Sequence, residues 1–244
     1  MSKVIVPVHH AKVGDHFHGY GLRTDQHLIS PFIGVDHYWM TAPTFAPHHH
    51  AGISALSYLL GDSETGMANR DSIGTQNIIS PGGLHWTTAG RGVTHEEVPA
   101  QSGKTVHGLQ IFVALAPSKQ GIAPFPLILE SQAVPVVNKP GVIIRVPLGE
   151  YDGVRSPMDP PTEVTMLDIN LDAGAELRVP VTEGHCMFVL PIAGRAEIDG
   201  QLFDREDLQV PVFTAQDKPQ TIIFKAPHGS AQAVLFSGPP LPFV

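Results

Sequence analysis

The chain has 244 residues, 42% of them apolar and only 16% charged, a balance that excludes an extended disordered chain and suits one large or two small globular domains. Its 24 glycines and 23 prolines exclude long helices and favour short strands joined by turns. A formal net charge of -8 without a basic cluster argues against direct binding to nucleic acid or anionic membranes, and a lone cysteine excludes a disulfide framework or a thiolate metal site.

In chain order, strands are predicted at 4–8, 28–39, 54–60 and 106–115. The opening residues read as a strand rather than a secretory leader. The stretch 116–140 contains Pro117, Pro124, Pro126, Pro135 and Pro140 and reads as a connection, with a short helix at 130–137 as its one helical candidate. Further strands follow at 142–147, 164–171, 187–192, 221–225 and 233–236, separated by turns such as Asp172-Ala173-Gly174 and Asp199-Gly200. This rhythm predicts an all-β sandwich or barrel. A loosely repeated strand-and-turn phrase in each half suggests that the barrel is duplicated. No apolar run approaches the roughly 20 residues a membrane helix needs, so a cytoplasmic protein is expected.

The 14 histidines matter by position. Pro47-His48-His49-His50-Ala51-Gly52 leads into a predicted strand. In extended chain, residues two apart share a face about 6.6 Å apart, so His48 and His50 can converge on one ion while His49 points away. The competing reading is a polar turn with its imidazoles in water. Farther on, His95 and Glu97 repeat the spacing after the glycine-rich turn Gly90-Arg91-Gly92; taken alone, they also fit a solvated surface pair. Together the two pairs offer three imidazoles and one carboxylate, a donor set that suits Fe, Ni, Mn, Co or Zn and leaves positions for water or substrate.

His48-x-His50-x-Gly52, Arg70-Asp71-Ser72-x-Gly74 and Gly82-x-x-x-Trp86-x-Thr88-Ala89-Gly90-Arg91-Gly92-x-x-His95-x-Glu97 closely resemble the motifs of the pirin family of the cupin superfamily. Pro31-Phe32 through Asp36-His37 upstream and His107-Gly108-Leu109-Gln110 downstream extend the resemblance over roughly residues 10–130. It implies an all-β bicupin: two antiparallel β-barrels, each a double-stranded β-helix, packed face to face. The expected division is a metal-binding barrel over 1–133 and a barrel without a metal site over 134–244. By the motif, His48, His50, His95 and Glu97 would hold one divalent metal, Fe(II) first, with Ni, Mn, Co or Zn as alternatives.

Two functions follow from the resemblance. One is a quercetin 2,3-dioxygenase-type oxygenase acting with O₂ on a small aromatic or enediol substrate, with Glu97 as ligand and base. The other is an iron-binding regulatory or redox-sensing protein that acts through a protein partner. The chain departs from the family pattern at His49, where proline is usual, at Ala51, where arginine is usual, and at Ile53-Ser54-Ala55, where Phe-Glu-Thr is usual. Asp36, His37 and His107 are expected in the barrel lining or behind the ligands, as structural hydrogen-bonding groups rather than as partners that orient a liganding imidazole. Phe32, Phe45 and Trp86 are expected as core rather than pocket wall, Arg91 as a turn anchor and Arg70-Asp71 as an ion pair. Cys186 is expected to be buried, and His185 and His228 to form no metal site.

Overall fold

The computed structural model describes residues 3–242. Two seven-stranded and two four-stranded antiparallel sheets form the architecture, one of each in either half, with a small hairpin beside them. In the first half the long sheet runs in the order Phe125–Leu129, Leu84–Thr88, Ile53–Leu59, Val106–Ala114, Phe32–Met40, Phe17–Leu22, His9–Val13. Its short sheet is ordered His48–His50, Val93–Pro99, Met67–Asp71, Gln76–Ile79. The second half repeats the scheme, its long sheet running from Gln209–Phe213 through Cys186–Ala193, Ala231–Gly238, Thr165–Leu171 and Val142–Leu148 to Val136–Lys139. The all-β bicupin expectation is met.

The first half lends an edge strand to the second. Lys3–Pro7, inside the span expected for the first barrel, pairs with Gln209–Phe213 of the second. Phe125–Leu129, inside the expected connection, is a strand on the corresponding edge of the first sheet, against Leu84–Thr88. The expected strand at 28–39 begins only at Phe32. Gln26–Ile29 forms a single helical turn instead, because the Asp25 carboxylate accepts the His27 N–H at 3.0 Å and caps it. The helix expected at 130–137 shrinks to the 3₁₀ turn Ser131–Ala133, since Pro135 cannot continue it.

Alternation along the long strands decides which side chains meet. From Phe32–Met40, Val35 enters the core shared by the two halves, whereas Asp36, Tyr38 and Met40 line the interior of the first barrel. The shared core joins Phe32, Leu56, Trp86 and Leu109 to Met166, Phe188, Val212 and Phe236. Here Phe32 and Trp86 are core residues, as expected. Phe45, 45% exposed, is not, and lines a cavity. A separate apolar cluster that includes Ile144, Leu177, Phe203 and Phe224 belongs to the second half.

A buried polar contact at Tyr58 crosses the shared core. The Tyr58 hydroxyl donates to Asp168 Oδ2 at 2.8 Å, and Gln232 Nε2 donates to Oδ1 at 2.8 Å. Burial raises the Asp168 pKa, against the pull of these donors. Tyr58→Phe removes one donor and leaves the buried carboxylate short of a partner, so unfolding free energy should fall by about 1–3 kcal/mol in denaturant titrations. A loss below 0.5 kcal/mol would show that the bond contributes nothing net.

No helix among the described residues is long and apolar enough to cross a membrane.

Candidate metal centre

The short sheet of the first half assembles the imidazoles. His95 stands directly opposite His48 in the antiparallel pair, and His50 lies two residues along from His48 on the same face. A nitrogen from each of the three rings lies within 4.8 Å of those of the other two, and ring centroids are 4.7–5.0 Å apart. His49 takes the other face, its Nδ1 3.3 Å from Thr94 Oγ1. Gly92 makes room for it: at φ +140°, a Cβ there would lie 2.7 Å from the His49 ring. Gly90, at φ +51°, lets the turn close on Ile122, whose carbonyl accepts the Arg91 N–H at 3.0 Å. Arg91 thus anchors the turn through its backbone.

The donor set fits a divalent ion. His50 Nε2 and His95 Nε2 are 3.1 Å apart, so both can reach one centre at the ordinary nitrogen–metal distance of about 2.0–2.1 Å. His48 Nδ1 sits 3.1 Å from the Ala46 carbonyl, which can accept only from a protonated Nδ1; its Nε2 is then left as the free donor.

Glu97 lies outside this group. Its two carboxyl oxygens are 2.8 and 2.7 Å from Ser57 Oγ. Ser57 Oγ is also 3.2 Å from Gln110 Oε1, and the Gln110 amide is oriented by its Nε2 donating to the Leu56 carbonyl at 3.0 Å. The hydroxyl therefore has one proton and two acceptors. When Glu97 is ionised, Ser57 donates to it and Gln110 Oε1 goes without. When Glu97 is protonated, it donates to Ser57, which donates to Gln110, and every atom is satisfied. Burial, opposed by the Ser57 hydrogen bond, pushes the Glu97 pKa up to about 7. Sequence reading missed Ser57 altogether, since a serine in an apolar strand carries no signal of its own.

His48 and Glu97 share the wall of a cavity of about 530 Å³, with Phe17, Tyr38, Phe45 and Phe112 around it. At its edge Arg23 Nη2 is 2.6 Å from Asp36 Oδ2, and the guanidinium lies 5.7 Å from the Phe112 ring centre. A larger cavity of about 820 Å³ lies in the second half. It contains a single histidine, His185, 3.7 Å from Glu163, and has no imidazole cluster.

Several expected neighbours lie elsewhere. His37 and His107 face each other at 2.7 Å between their Nε2 atoms, with His107 Nδ1 2.7 Å from Asp62, on the opposite side of the sheet from the cavity residues Tyr38 and Gln110. Arg70 and Asp71 cannot pair, because adjacent strand residues point to opposite faces. Arg70 instead meets Glu96 at 2.6 Å. Cys186 is buried, and its thiol is pushed up to about 12.

Burial also lowers the pKa of seven imidazoles: His50 and His85 to about 4, His95 to about 3, with His18, His37, His107 and His185 likewise depressed. Each of these binds a proton more readily in the unfolded chain, so stability present above pH 6.5 is lost as pH falls toward the folded values. Glu97 and Asp168, raised in the fold, act in the opposite sense but are two groups against seven. The melting temperature of metal-free protein should therefore fall steadily from pH 6.5 to 4.5. A flat profile over that range would contradict the burial of these rings.

Two family models match the chain: Pirin over residues 11–113 and the Pirin C-terminal cupin domain over 166–243. The mouse protein named Pirin is 36% identical over 167 residues, which cover 68% of this chain and 57% of the mouse protein. The chain thus spans little more than half the length of that relative. Among solved structures, a quercetin 2,3-dioxygenase from Acinetobacter baumannii superposes with a TM-score of 0.84 at 22% identity, covering 98% of this chain and 79% of that one. The bacterial pirin YhhW from Escherichia coli, in complex with nickel(II), gives 0.76 at 16% identity, covering 98% and 100%. At such identities these two structures establish a shared fold.

Proposed function

This chain belongs to the pirin family, and from that premise we propose that it is a metal-dependent oxygenase that uses O₂ to cleave a flavonol or a related aromatic enediol. The observation that carries the reading is an imidazole triad whose member His48 lines an aromatic cavity, with Glu97 in the same wall. The quercetin dioxygenase and the nickel-bound pirin among its structural neighbours support it.

In this reading His48, His50 and His95 hold one divalent metal, Fe(II) in the first instance. The bound metal supplies Lewis acidity toward the substrate's vicinal oxygens. Phe17, Phe45 and Phe112 offer ring faces and edges to a planar aromatic molecule and exclude water from it. Glu97 takes the substrate's hydroxyl proton, for which a carboxyl pushed up to about 7 is well matched near neutral pH. Ser57 and Gln110 stabilise the protonated product of that transfer through the donor chain described above.

Protein stripped of metal and reloaded with Fe(II), Ni(II), Mn(II) or Co(II) should bind about one equivalent and bleach quercetin under air with at least one of these ions. Turnover no faster than the metal-free control with all four would overturn the oxygenase reading.

A further inference from the structure

Behind the imidazole triad, inside the first barrel, His95 Nδ1, Asp71 Oδ2 and His85 Nδ1 are among the buried polar atoms of the described residues that have no hydrogen-bond partner. His95 and His85 are 3% and 1% exposed, so water outside the barrel does not serve their rings.

Asp71 lies directly opposite His95 in the pairing of Met67–Asp71 with Val93–Pro99, so the two side chains leave the same face with Cβ atoms about 4.5–5.5 Å apart. Its other oxygen is already committed, because Oδ1 accepts the N–H groups of Ile73 at 3.0 Å and Thr75 at 2.8 Å. This locks the carboxylate and leaves Oδ2 as an acceptor fixed in place. His85 is opposite Ser57, which turns inward to Glu97, so His85 faces the same interior. Its Nε2 lies 3.0 Å from Thr87 Oγ1. The three groups also act on one another electrostatically: Asp71 favours and His85 opposes a charge on His95.

We infer that Asp71 is the positioning residue of the metal centre: its Oδ2 accepts a hydrogen bond from one interposed water, which in turn accepts from the Nδ1–H of His95 and so keeps His95 Nε2 unprotonated and directed at the point shared with His48 and His50. The inference rests on the metal-centre reading above. The hydrogen bonds balance. The water accepts from His95 Nδ1–H and donates once to Asp71 Oδ2 and once to His85 Nδ1, while His85 Nε2–H donates to Thr87. All three unpartnered atoms are then satisfied. For His48 the Ala46 carbonyl performs the same task. For His95 a carboxylate performs it, which also strengthens the imidazole as a donor.

Asp71→Asn isolates the effect. The amide oxygen still accepts from Ile73 and Thr75, while an NH₂ group replaces the acceptor that faced His95. Two measurements on the full chain decide the matter. In metal-free protein with ¹⁵N-labelled histidine, His95 should show the Nδ1–H tautomer in the parent and lose it in Asp71→Asn. With Zn²⁺ as probe and a competing chelator, the variant should bind about 10–100-fold more weakly than the parent.

An unchanged His95 tautomer, together with zinc affinity within about 3-fold of the parent, would overturn the role given to Asp71. A parent that binds no zinc would sink the metal-centre reading instead, while the tautomer in metal-free protein still reports on Asp71. If Asp71→Asn does not fold, Asp71→Ser supplies a hydroxyl to the turn, lacks the carboxylate, and should give the same two results.

Discussion

Glu97→Gln is expected to keep its metal and lose flavonol turnover by a factor of about 10²–10⁴, the usual worth of a positioned general base. The expectation follows from the direction of the carboxyl. Glu97 shares the cavity wall with His48, but its oxygens are held at 2.7 and 2.8 Å by Ser57 and lie outside the group formed by the three imidazoles. The family resemblance implies that this residue is also a ligand. Metal content measured beside the kinetics separates the two roles. Lost turnover with the metal retained identifies a base, whereas metal and turnover lost together would make Glu97 the fourth ligand. Ser57→Ala tests the support: it should shift the pH profile of turnover while leaving metal content unchanged.

The largest loss of stability is expected at Phe32. Its ring lies edge-on to Phe188 at 5.3 Å and to Phe236 at 5.4 Å, and those two rings stack on each other at 4.8 Å. Phe32 belongs to the first half and its partners to the second, so Phe32→Ala opens a cavity where the barrels meet. A cost of about 3–5 kcal/mol is expected from chemical denaturation, greater than that of Tyr58→Phe. A loss near 1 kcal/mol would mean that the two sheets can close over the vacated space.

Some of this was legible before any coordinates. Glycine and proline punctuation with β-branched runs indicated an all-β chain, and the two His-containing pairs at a spacing of two needed only extended backbone to put each pair on one face. What escaped detection is instructive. Phe125–Leu129 was hidden by Pro126, which is tolerated because this strand is the edge of its sheet. Asp71 was read with its sequence neighbour Arg70, yet its meaningful neighbour is 24 positions away, across a strand pair. Ser57, which orients Glu97, sits among apolar residues and gives no local sign of its role.

The sequence by itself determined that His48 with His50, and His95 with Glu97, would emerge in pairs, because strand alternation is a local property of the backbone. Tertiary structure alone decided how the pairs meet: His95 opposite His48 rather than one residue out of step, Glu97 turned to Ser57, Asp71 facing His95, and the first strand lent to the second barrel. The reason is register. Pairing between strands far apart in the chain is settled by the burial of whole faces at once, and no short window of residues contains that information.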